Sequence, residues 1–136
     1  MDPLELLRSK IADFPGYDGE VERRLSDEYV RAYLGEALTE LAARQALGPE
    51  RQRRLDALTL RSSFADQQAF SRGGGQGESG DGASDAVAAA DASTIELADR
   101  GASIEDVSID DYLDEVTALL DRREAALRAA AVTSHL

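Results

Sequence analysis

Few residues in this chain are of the types that carry out chemistry, and their spacing limits what they can do. There is one histidine, His135, and no cysteine. That removes disulfides, thiolate metal sites and cysteine nucleophiles, and leaves no signature of redox compartment. Glu36 and Glu40 stand four apart, which on a helix sets two carboxylates on one face. Carboxylate-bridged metal sites in bundles join such glutamates to a Glu-x-x-His on another helix. No Glu-x-x-His occurs here, so the pair reads as a solvated face.

Asp106, Asp110, Asp111, Asp114 and Glu115 form the densest acidic cluster. A calcium loop needs D-x-[DN]-x-[DN]-G with a later glutamate, and neither this cluster nor Asp81–Asp85 fits that pattern. The cluster reads as the acidic start of a helix, with a docking surface for an Arg- or Lys-rich partner as the functional alternative. Gly75-Gln76-Gly77-Glu78-Ser79-Gly80 fits G-x-G-x-x-G literally. A pyrophosphate loop needs a strand before it and a helix opening after it, and here Glu78 and Asp81 would repel phosphate. We read it as linker. No residue is assigned a catalytic, cofactor-binding or metal-ligating role, and no cofactor is expected.

Charge narrows the partners. The 136 residues carry a net charge of −12, unevenly spread. Residues 1–72 hold 13 acidic and 11 basic side chains, whereas residues 73–136 hold 14 and 4. Such a field repels nucleic-acid phosphates and anionic membranes. Direct nucleic-acid binding is therefore not expected, the local cluster Arg51, Arg53 and Arg54 being the one basic exception. No apolar run approaches the roughly 20 residues of a membrane span. MDPLELLRSK lacks the pattern of a signal peptide, which makes a cytoplasmic location the default expectation.

Abundant Ala and Leu with few aromatics favour helices over strands. Asp2, Pro3 and Glu5 mark a helix start, followed by the stripe Leu4, Leu7, Ile11 and Phe14. Phe14-Pro15-Gly16-Tyr17 is a turn, its aromatics pinning it to the core. Residues 20–47 then give the longest helical pattern, with Val21, Leu25, Val30, Leu34, Ala37, Leu38 and Leu41 in a drifting apolar stripe. Its other face carries the pairs Glu20–Arg24, Asp27–Arg31 and Glu40–Arg44. Gly48-Pro49 should turn a third helix back against it as an αα-hairpin, using Leu55, Leu58, Phe64 and Ala65. Leu60 falls off that stripe and reads as a scattered exposed leucine or a second contact surface.

The expected fold is all-α. A three-helix unit spans 1–72, a flexible Gly/Ser/Ala-rich acidic linker spans 73–93, and an acidic segment spans 94–136 with an amphipathic helix at about 109–131. That last helix either docks as a fourth bundle member or stays tethered as a recognition helix. Tyr112, Val116, Leu119, Leu120, Arg123 and Leu127 line its apolar face and are the expected partner-binding residues. The leading functional expectation is a non-enzymatic protein–protein interaction module, acting as adaptor, regulator or assembly subunit, or self-associating as an oligomer. An acidic antagonist that imitates nucleic acid in a basic groove is the first alternative. A small carboxylate metal-binding or hydrolytic enzyme is the second.

Overall fold

The computed structural model describes residues 2–64 and 81–133, with side chains described over 2–64 and 85–130. It is all-α, with five helices and no strand among the described residues: α1 Pro3–Lys10, α2 Glu20–Arg44, α3 Pro49–Ser62, α4 Asp81–Gly101 and α5 Ile109–Thr133. A single 3-10 turn, Asp106–Ser108, leads into α5. Among the described residues, no helix is long and apolar enough to cross a membrane.

The turn signals act where their chemistry places them. Gly48 takes a positive φ of 79° and Pro49 opens α3 at its first position. Gly16 likewise sits at φ 84°. α1 stops at Lys10, earlier than its apolar stripe suggests, and Ile11 turns extended. Ile11 and Phe14 still reach the core, so the stripe marks burial rather than helix length. Asp2 makes no side-chain cap, and α2 ends at Arg44 instead of Leu47.

The largest departure from the sequence expectation is α4. Residues 81–93, expected to be linker, are helical and continue to Gly101 without a break. Alanine is the best helix former, and its small side chain lets neighbouring helices approach closely. Val87, Ala88, Ala92, Ile95, Leu97 and Ala98 are all buried. The remainder of the expected linker, residues 73–80, lies outside the described residues.

Nor do the first three helices form a unit apart. α4 touches α1, α2 and α5, while α2 touches α3 and α4, and α3 touches α5. Leu34, Leu38 and Leu41 of α2 share one core with Leu55 and Leu58 of α3, Leu97 of α4 and Ile109, Leu113 and Val116 of α5. A second cluster packs Leu7, Ile11 and Phe14 on Val30, Ala92 and Ile95. The last helix is therefore docked, the first of the two layouts open to it, and α2 shares its central place with α4.

Candidate functional site: an ionic core and an uncovered helix face

The most polar feature of the interior is a chain of side chains running through Arg123. Its Nε donates to Asp91 Oδ1 at 2.5 Å and its Nη2 to Asp27 Oδ1 at 2.6 Å. The Tyr17 hydroxyl donates to Asp91 Oδ2 at 2.5 Å. Arg31 Nε donates to Asp27 Oδ2 at 2.8 Å, and its Nη1 to the Ser62 carbonyl at 3.3 Å. Two carboxylates thus face two guanidiniums, and the group is neutral. Asp27, Asp91 and Arg123 are each at most 3% exposed. The network ties α2, α4, α5, the loop before α2 and the last turn of α3 to one another.

Its protonation is fixed by its surroundings. Burial opposes charge on Arg123, but Asp91 and Asp27 outweigh it and hold the guanidinium above its ordinary value. Burial raises the Tyr17 phenol, and the adjacent Asp91 carboxylate raises it further, so it stays a donor. Burial also pushes the Asp91 carboxyl up, against the pull of Arg123 and Tyr17. No buried side-chain polar atom among the described residues lacks a partner. Three surface grooves among the described residues are lined by residues other than Tyr17, Asp27, Asp91 and Arg123. This arrangement positions helices, and its members Arg31 and Ser62 also line a groove between α2 and α3.

The sequence points to Asp27–Arg31 as a solvent-facing pair, whereas the structure buries Asp27 and partly covers Arg31. Glu20–Arg24 forms as expected on the surface at 3.3 Å. Arg44 instead donates to the Gly101 carbonyl at 2.5 Å, fastening the end of α2 to the end of α4. Asp91 and Tyr17 carry no signal of their role, because Asp91 sits alone in an alanine run.

The acidic cluster has its basic partner within the chain. Arg51 pairs with Asp106 and Asp110 at 3.2 and 3.1 Å, Arg54 with Asp114 at 2.7 Å, and Arg61 with Asp121 and Glu124 at 2.7 and 3.0 Å. Arg100 reaches Glu115 at 2.5 Å. These pairs lace α3, and the end of α4, onto α5. The hydrogen bond and charge of Arg51 hold the Asp110 carboxyl below its ordinary value. Arg51 and Arg54, two of the three arginines of the basic exception in the sequence, are occupied in this way.

The expected partner-binding residues are covered. Tyr112, Val116, Leu119, Leu120, Arg123 and Leu127 are all buried. Tyr112, Val116, Leu119 and Leu120 lie in the shared core, Leu127 packs with Val87, and Arg123 sits in the ionic network. Their stripe packs α5 within the chain.

Uncovered apolar surface lies elsewhere. Val21 is 66% exposed, with Leu25 and Tyr29 following at four-residue steps down the outer face of α2. A groove of about 950 Å³ opens between that face and α3, with Leu25, Tyr29, Ala32 and Gly35 on one side and Thr59 and Ser62 on the other. Helix α3 comes close here: a Cβ on Gly35 would lie 3.2 Å from Ser62 Oγ. Phe64, just beyond the end of α3, is 67% exposed, and Leu60 is 61% exposed. Among the described residues, no group of three or more His, Cys, Asp or Glu side chains is placed to hold a metal ion. No protein-family model, curated protein or solved structure matches the chain.

Proposed function

We propose that the protein is a non-enzymatic helical interaction module, an adaptor, regulator or assembly subunit that receives another protein in the groove between α2 and α3. In this reading it works in the cytoplasm as part of a complex. The supporting observation is the exposure of Leu25 and Tyr29 along one groove, with Val21 exposed a turn before them and Phe64 exposed just past the end of α3, while Val30, Leu34, Leu38 and Leu41 of α2 are buried. Large apolar side chains left together on a surface otherwise rich in charge mark a contact site more often than scattered single ones do. The rival reading, an acidic mimic of nucleic acid, draws less support. Many of its carboxylates are already paired with Arg51, Arg54, Arg61 and Arg100.

A photo-crosslinking residue placed at position 25 or 29, in the full chain inside cells, tests the reading. Adducts to another protein at those positions, and none from a probe at Glu96 on α4, are the expected result. Equal labelling from all three positions would sink it. Leu25→Asp with Tyr29→Asp should remove the adduct partner while leaving the helical circular dichroism unchanged, since both side chains point outward.

A further inference from the structure

The rim of the same groove carries a charge pattern that bears on what fits it. Glu28, Glu36 and Glu40 line it, all exposed, and none of the three is in an ion pair among the described residues. Arg31 also lines it, but its guanidinium is committed to Asp27 and the Ser62 carbonyl. This contrasts with α5, where Asp110, Asp114, Asp121 and Glu124 each meet an arginine. The free surface of α2 therefore combines an apolar strip, Val21, Leu25, Tyr29 and Ala32, with carboxylates beside it that form no ion pair among the described residues.

We propose that the occupant of this groove is an amphipathic helix of another protein, apolar along one side and flanked by arginine or lysine. The inference rests on the interaction reading above and names the chemistry of its partner. A helix laid in a groove supplies side chains at i, i+3 or i+4 and i+7, which matches a strip set at helical spacing. Basic flanks then answer the three glutamates, which speeds encounter and fixes orientation. A second copy of this chain fits less well. Its matching surface would bring Glu28, Glu36 and Glu40 up against their own counterparts, with no unpaired cation in the groove to offset them.

The test uses the full chain and designed helical peptides of about 18 residues, or about five turns, with one leucine stripe and either lysine or glutamate flanks. The lysine peptide should bind at least about tenfold tighter, and its affinity should fall with salt. Leu25→Asp with Tyr29→Asp should abolish binding. Glu28→Lys with Glu36→Lys and Glu40→Lys should reverse the preference toward the glutamate peptide. An equal charge change elsewhere, Asp85→Lys with Glu105→Lys and Asp111→Lys, should leave the preference for lysine intact. If both triple variants behave alike, the attraction is one of net charge and the proposal fails. Dimerisation lost on Leu25→Asp would give the groove to a second copy and also overturn it. Binding that appears only when Phe70 is replaced by serine would give the groove to the chain's own residues, and the proposal would fail again. Should crosslinking at position 25 identify a partner whose contacting segment is acidic or not helical, the interaction reading survives and this inference does not.

Discussion

Replacing Arg123 by methionine would leave Asp27 and Asp91 buried, with Arg31 the remaining guanidinium in the network. Breaking a buried ion pair from one side typically costs about 3–5 kcal/mol, because the orphaned charge has lost both water and counterion. Urea denaturation of Arg123→Met should show a loss of that order, whereas Arg24→Met, at an exposed pair, should show little. Asp91 makes a second test through pH. Burial raises its carboxyl above the ordinary 3.8, so the folded chain holds that proton more tightly than the unfolded one. Its contribution to stability should fall as pH rises from about 4 through the raised folded value. The stability of the wild type relative to Asp91→Asn should therefore decline over that range, and a rising difference would mean instead that Arg123 and Tyr17 outweigh burial at Asp91. Asp99 works in the opposite sense. Burial opposes its ionisation, but hydrogen bonds from Tyr33 and Lys10 and the charge of Lys10 hold its carboxyl low, so its contribution is lost in acid. At this scale the sequence showed the partners Asp27 and Arg31 four apart but gave no sign that they were buried. An i,i+4 pair looks the same on a wet face as on a dry one, and only the arrival of Arg123, 96 residues later, makes the difference.

Helices with strong punctuation were legible. Pro3, Pro49 and the Gly48 turn set the starts of α1 and α3, and the acid-led pattern after Ser108 set α5 at Ile109–Thr133, close to the expected 109–131. Helix α4 was legible only in pieces, at 86–90 and 94–100, because three of its six buried apolar residues, Ala88, Ala92 and Ala98, are alanines, which add helix propensity but almost no apolar contrast. Its fit to α5 is tight at one point. Tyr112 donates to the Leu97 carbonyl at 2.9 Å, and a Cβ added at Gly101 would lie 2.5 Å from the Tyr112 hydroxyl oxygen. Overpacking of this kind costs roughly 1–3 kcal/mol, so Gly101→Ala should lower the melting temperature, and Tyr112→Phe in the same chain should recover part of the loss. The contact of α3 with α5 should respond to different conditions. Arg51, Arg54 and Arg61 reach α5 at exposed sites, so added salt should lower the melting temperature. Arg51→Gln with Arg54→Gln and Arg61→Gln should remove most of that dependence.

For the molecule as a whole, all-α architecture followed from composition and period, and the docking of α5 was one of two layouts the sequence allowed. The α5 stripe, expected to meet a partner, packs within the chain. An amphipathic face looks the same in sequence whether it meets another protein or its own chain. The two cases differ by experiment: Leu119→Asp should unfold the protein, since that side chain is buried in the shared core, and Leu25→Asp should not. The neutral ionic group has a last consequence, for the order in which the chain can settle during synthesis. Asp27 leaves the ribosome early with its partner Arg31, but Asp91 has no guanidinium to enclose it until Arg123 arrives. The α1–α4 portion on a nascent chain stalled before residue 123 should therefore remain sensitive to protease. The same chain released past that residue should become resistant in a single step.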